Sequence, residues 1–301
     1  MSADANREGF RIIRKIPALF LMELLWRWSF GLGILALAFY AYSHLRPAIL
    51  FTDADEPALS SQDPIPFAQA AVDLLSPVLP LLLKTCAQVF SVAAVFWIAI
   101  SALGRGIITR VIVGHLVENY SVTITADAPR WASFALLQFA RVLMLLILAV
   151  GYLGGLFIAS LVDPTRTNVV LSASVVFSSV AISSVLWSYV NWVLSLAPIF
   201  VARDARAPLD AVVEAIAFIR RRHSHLRAIA LWNSTLREVA ATAISLAGVF
   251  TVALRSTLPP GAITLLLVLE TLAYFVVSDV FLLARLAAYA AVAVRERTLN
   301  S

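Results

Sequence analysis

The sequence contains few charged residues and a single cysteine. Only 14% of the 301 residues are charged and 61% are hydrophobic, whereas a soluble domain is about 25% charged and about 45–50% apolar. The chain cannot supply the polar surface that a soluble domain of this length needs, so we exclude that class. The one cysteine, Cys86, excludes an intramolecular disulfide and a multi-cysteine zinc site.

Short catalytic motifs are missing as well. The sequence has no HExxH pattern of zinc proteases, no GxSxG nucleophile elbow and no GxxxxGK[ST] phosphate-binding loop. The four histidines do not show the spacing of metal ligands on a helix. We therefore predict no catalytic, cofactor-binding or metal-binding residue. Membrane enzymes often lack such motifs, so an enzyme stays among the alternatives.

Six long apolar segments dominate the rest of the sequence. A spanning α-helix needs about 20 predominantly apolar residues, and each of these segments exceeds that length. We predict an all-α, polytopic transmembrane helical bundle that forms a single domain over residues 1–301. The predicted spans are 18–43, 75–103, 131–161, 169–201, 228–254 and 262–294.

The basic residues predict the orientation of these spans. With the N-terminus inside, fifteen Lys and Arg residues fall in the inner segments and three fall in the outer loops. Positive charge marks the cytoplasmic side, so we expect both termini in the cytoplasm. The net charge of +5 is explained in this way, and we predict no nucleic-acid partner.

The loops differ in character. The outer loop 44–74 is acidic and rich in proline, which predicts a solvated linker. The two long inner loops, 105–119 and 208–222, carry apolar residues at helical spacing, such as Leu209, Val213 and Ile216. We predict that both are amphipathic helices in the cytoplasmic interface. Alternatively, 208–222 docks another membrane or cytoplasmic protein.

Two stretches of the sequence share one plan, which suggests an internal helical-hairpin repeat. The stretches 130–151 and 227–248 each run from an arginine to a glycine and carry an arginine near the middle, Arg141 or Arg237. Each follows a predicted amphipathic helix. The N-terminal segment is a looser third copy, so three hairpins would make the six spans.

Nine ionisable residues lie within the predicted spans, where each costs at least about 2.5–3.5 kcal/mol at the bilayer centre. Their depth predicts an inner polar cluster and an outer pair, Lys84 with Glu270. The cluster either pairs internally and reaches lipid phosphates, or lines a cavity that binds an anionic group, or relays protons through Asp279. Its members are Glu23, Arg27, Arg141, Arg237, Glu238, Asp279 and Arg285.

Several short patterns resemble an uncharacterised family of bacterial six-span proteins. They are Ala197–Phe200, Arg203-Asp204, Pro208–Ala211, Arg220–Arg222 and Trp26–Gly31. That family is loosely similar to the membrane domain attached to some glycerophosphodiester phosphodiesterases. The resemblance implies an inner-membrane protein of unassigned role. It does not imply phosphodiesterase activity, because the catalytic domain of those enzymes is a separate soluble barrel that this sequence lacks.

The expected function is a non-enzymatic scaffold or lipid-interacting module with membrane lipids as its partners. A permease-like transport subunit that needs a separate ATPase is one alternative, and a membrane enzyme acting on a lipid phosphate is another. The sequence specifies no cofactor.

Overall fold

The computed structural model describes residues 2–48, 70, 72, 74–117, 128–162 and 169–300. These residues form helices and no strands. The helices are α1 (Ser2–Lys15), α2 (Pro17–Leu45), α3 (Leu79–Leu116), α4 (Ala128–Val162), α5 (Val169–Asp204), α6 (Pro208–Ala253) and α7 (Pro260–Asn300).

Six of these helices, α2 to α7, are long and apolar enough to cross a membrane. Each contains most or all of one predicted span, so the polytopic helical bundle is confirmed and the chain is a multi-pass membrane protein. The predicted outer loop 44–74 lies mostly outside the described residues.

The chain divides into two compact units. The hairpin unit comprises Arg27–Ile100, which includes the end of α2 and the start of α3. Inside it, the Phe30 ring lies 5.9 Å from the Phe96 ring and 4.7 Å from the Trp97 ring, measured between centroids. The larger unit comprises Met1–Trp26 and Ser101–Ser301.

Burial in the larger unit is concentrated at one end, which we call the packed end. It combines α1 with the end of α3, the start of α4, the end of α5, the start of α6 and the end of α7. By contrast, Phe177, Ile182 and Val185 in the first half of α5 are each about 70% exposed. The packed end therefore holds the protein core, while the other half of α5 presents its apolar side chains outward.

Small residues bring the helices of the packed end close together. Six alanines between Ala284 and Ala293 of α7 are at most 1% exposed. A Cβ atom on Gly9 of α1 would collide with the carbonyl oxygen of Ala284, and the Phe10 and Phe281 rings meet edge to face at 6.1 Å. In lipid, helices gain little by burying apolar surface, so such close approach drives their association.

Helix α1 was not predicted, because its residues were interpreted only as a basic flank. Its buried residues Ala5, Gly9 and Ile12 are spaced along one helical face. The opposite side carries the exposed residues Arg7, Arg11, Arg14 and Lys15. The helix thus packs on α7 and α6 with its basic side outward.

The two segments predicted as separate amphipathic helices are helical but continuous with spans. Residues 105–116 extend α3 without a break, and residues 118–119 lie outside the described part. Residues 208–222 begin α6, and only a non-helical conformation at Arg222 (φ −120°, ψ 24°) separates them from the span. Residues 105–116 follow a span, whereas residues 208–221 precede one, so the two segments differ in their place along their helices. The internal repeat stays a hypothesis.

The segment 208–221 packs on the protein by one of its faces. Ala211, Ala215 and Phe218 pack into the core, and the Phe218 ring meets Phe200 of α5 edge to face at 5.5 Å. On the opposite side, Leu209 is 76% exposed and Val213 is 65% exposed. The prediction placed the larger aliphatic residues on one apolar face; of these, Ile219 is buried, whereas Leu209 and Val213 face outward.

A tight turn joins α5 to α6 at the packed end. Ala205 has φ +53°, in the left-handed region that non-glycine residues rarely adopt. Ala207 is extended (φ −61°, ψ 153°) before Pro208, as residues preceding proline usually are.

We predict that Ala205→Gly stabilises the protein by on the order of 1 kcal/mol, because glycine adopts the left-handed conformation without a Cβ penalty. Thermal unfolding in detergent should show a higher Tm. Ala207→Gly is the matched control, and it should lower the Tm because Ala207 has an ordinary extended conformation that glycine only loosens. A lower Tm for Ala205→Gly would contradict the strain argument.

Candidate functional site

Glu23 is a fully buried carboxylate in the larger unit. The indole Nε1–H of Trp26 donates to its Oε2 at 2.9 Å, and a guanidinium nitrogen of Arg105 lies 3.8 Å from its Oε1. The Arg105 guanidinium also lies 5.7 Å from the centroid of the Trp26 ring. Gly104 allows this arrangement, because a Cβ there would collide with the Trp26 indole.

Arg105 was missed as a site residue because its position beside a span suggested only a cytoplasmic flank. The predicted partner of Glu23, Arg27, belongs to the hairpin unit, so that pairing stays a prediction. A charged group buried without pairing is costly, and the geometry identifies Arg105 as the cation that offsets Glu23.

Arg141 of α4 contacts neutral polar groups. Its guanidinium donates to Gln138 Oε1 at 3.4 Å and to Ser195 Oγ of α5 at 3.3 Å. Ser195 in turn donates to the carbonyl oxygen of Asn191 at 2.6 Å. Arg141 therefore ties α4 to α5 near the packed end.

Arg237 and Arg285, predicted to share the inner cluster, line one small cleft between α6 and α7. Arg237 also donates to the neighbouring Glu238 at 2.9 Å. The cleft has a volume of about 10 Å³, which admits a single water molecule and is too small for a lipid phosphate. The structure thus brings the two arginines together at one cleft.

The remaining predicted residues have the following positions. Asp279 of α7 is 3% exposed, so its carboxylate lies inside the protein. Glu270 accepts a hydrogen bond from Thr251 Oγ1 of α6 at 2.6 Å. Lys84 is an exposed residue of the hairpin unit, so its pairing with Glu270 stays a prediction.

An ion-pair network at the packed end connects α5, α6 and α7. Arg203 makes a bidentate contact with Asp204 at 3.0 and 2.6 Å, and it donates to the carbonyl oxygen of Ala293 at 2.7 Å. Arg206 lies 3.5 Å from Asp204 and 3.0 Å from Glu214. These contacts hold the strained turn against α6 and α7.

The same network continues through the basic run of α6. Arg221 lies 2.7 Å from Glu214 and 2.9 Å from Glu296, and Arg222 lies 3.1 Å from Glu296. Glu214 and Glu296 therefore each serve two arginines. Sequence reasoning missed both carboxylates, because their partners lie on other helices or two turns away.

The described residues contain no group of three or more His, Cys, Asp or Glu side chains that could hold a metal ion.

We predict that Arg105→Gln lowers the Tm strongly, because losing one partner of a buried ion pair costs about 3–5 kcal/mol. Glu23→Gln should cost less, since its amide oxygen still accepts from Trp26. The double variant should then be more stable than Arg105→Gln alone. Arg220→Gln, at an exposed position, is the control. Simple addition of the two single effects in thermal unfolding would contradict the pairing.

Searches against protein-family models, curated protein sequences and solved structures found no match to this chain. The resemblance to the membrane domain of glycerophosphodiester phosphodiesterases therefore stays a hypothesis.

Proposed function

We propose that this chain is a non-enzymatic, lipid-interacting scaffold of a bacterial inner membrane, with its packed end at the cytoplasmic leaflet. The observation that carries the proposal is the segment 208–221, which packs on the protein by one face and presents Leu209 and Val213 on the other. A rigidly held helix with outward apolar residues suits the boundary between headgroups and acyl chains.

The charges around this segment support the same position. Arg220 and Arg221 end the segment and Arg222 follows it, and α1 presents Arg7, Arg11, Arg14 and Lys15 on its exposed side. Lys and Arg near an anionic leaflet each contribute about 1 kcal/mol of attraction. The excess of positive charge at this end is the basis for assigning it to the cytoplasm.

The second candidate is a permease-like subunit that docks a separate ATPase or another protein through 208–222. The exposure of Leu209 and Val213 favours it too, because exposed apolar residues on a fixed helix also suit a protein interface. The two candidates differ in what surrounds Val213. Lipid surrounds it in the scaffold, and water surrounds it in a subunit that awaits its partner.

A spin label on Val213→Cys, in a Cys86→Ser background and in lipid nanodiscs, distinguishes the candidates. We expect that oxygen, which partitions into lipid, relaxes this label more strongly than a water-soluble nickel chelate does, to a degree typical of the headgroup boundary. Arg220→Cys is the aqueous control and Leu265→Cys, in α7, is the hydrocarbon control.

If the label at 213 is as accessible to the nickel chelate as the label at 220, the leaflet position is wrong. The docking candidate is then favoured, and copurification with a soluble ATPase in mild detergent becomes the relevant measurement.

A further inference from the structure

A cleft lies between α1 and α6, at the start of the fifth span. It has a volume of about 640 Å³, within the range of small-molecule sites. Its lining residues are Ala3, Asn6, Arg7, Phe10, Ala228, Trp232 and Leu236.

One wall of the cleft is a face of α1. Ala3, Asn6, Arg7 and Phe10 follow the i, i+3, i+4, i+7 spacing of a single helical face. This wall provides a guanidinium at Arg7 and an amide at Asn6. The exposed guanidinium can donate two parallel hydrogen bonds to a phosphate.

The other wall is apolar and runs along α6. Ala228, Trp232 and Leu236 are four residues apart, so they form one line that rises about 12 Å along the helix axis. Trp232 is 54% exposed, and tryptophan favours the level of the headgroups and glycerol. The cleft therefore places a guanidinium and an amide on one wall and a line of apolar side chains on the other.

A buried amide pair fixes the two walls to each other. Asn233 is 3% exposed, and its Nδ2 donates to Asn6 Oδ1 at 3.0 Å and to the carbonyl oxygen of Ile229 at 2.9 Å. Since Asn6 lines the cleft and is held by α6, the position of Arg7 relative to Trp232 is set by the fold. Preorganisation of this kind reduces the entropy that a ligand must lose.

We propose that this cleft binds one anionic phospholipid, with its phosphate at Arg7 and Asn6 and an acyl chain along Trp232 and Leu236. The inference deepens the proposed scaffold function and rests on it for the position of the packed end at the leaflet. Asp4, one turn before Arg7, attracts the same guanidinium and competes with the phosphate. We therefore expect loss of Arg7 to weaken binding several-fold and not to abolish it.

The experiment counts lipids bound to the intact protein. Native mass spectrometry of the full chain in mild detergent, with equal amounts of phosphatidylglycerol and phosphatidylcholine, should show preferential retention of phosphatidylglycerol. Arg7→Gln should reduce this preference several-fold. Arg11→Gln is the matched control, because Arg11 lies one turn further along α1, pairs with Glu8 at 2.9 Å and does not line the cleft.

The apolar wall is tested in the same way. Trp232→Ala should reduce retention of phosphatidylglycerol, whereas Leu231→Ala should not, since Leu231 is similarly exposed and lies outside the cleft. Phosphatidylglycerol brominated on its acyl chains should quench the fluorescence of the wild type more than that of Trp232→Phe. The Tm of each variant shows whether it is folded.

Equal loss of phosphatidylglycerol from folded Arg7→Gln and Arg11→Gln would overturn the proposal, because it would indicate general surface attraction. Competition by inorganic phosphate without quenching by the brominated lipid would also overturn it, since the site would then bind a free anion. A wild type with no lipid preference would reject the cleft as a lipid site even if the spin label at Val213 lies at the headgroups. The two failures are thus distinguishable.

Discussion

Helices inside a bilayer gain little by covering apolar surface, because the acyl chains are as apolar as the side chains they replace. Association must come from close approach and from polar contacts. In the larger unit, the packed end combines both. Gly9 lies against Ala284, the alanines of α7 are buried together, and Glu23 is held by Trp26 and Arg105. The first half of α5 presents Phe177 outward and is held to α4 by Ser179 Oγ, which donates to the carbonyl oxygen of Gly151 at 3.1 Å.

The ion-pair network links the ends of α5, α6 and α7 to one another at the packed end. Arg203 ties the end of α5 to α7, and Glu296 holds the basic run of α6. Each exposed pair alone contributes little, but a network of shared carboxylates restrains several helix ends at once. The network restrains the 208–221 segment, and the hydrogen bond between Asn233 and Asn6 restrains the α1 wall of the cleft, as both proposals require.

Hydropathy was sufficient to predict the six spans, because a lipid-spanning helix needs only length and apolar composition. The contacts between helices were harder to predict from the sequence than the spans. Arg105 resembled a basic residue of a cytoplasmic flank. The packing face of α1 depends on Ala5 and Gly9, whose small side chains give only a weak hydropathy signal. For 208–222, the pattern indicated a helix with an apolar face but could not show that alanines, rather than Leu209 and Val213, contact the protein. Sequence spacing alone does not specify partners on other helices, such as Glu296 for Arg221.

The orientation proposed for the packed end is tested most directly by cysteine labelling in intact cells that produce the Cys86→Ser protein. Ala207→Cys lies at the packed end, and Ser256→Cys lies in the connection between α6 and α7; both positions are exposed. With a maleimide that cannot cross the membrane, we expect labelling of Ser256→Cys at once and of Ala207→Cys only after the cells are opened. Labelling of Ala207→Cys in intact cells, with Ser256→Cys protected, would contradict a cytoplasmic packed end.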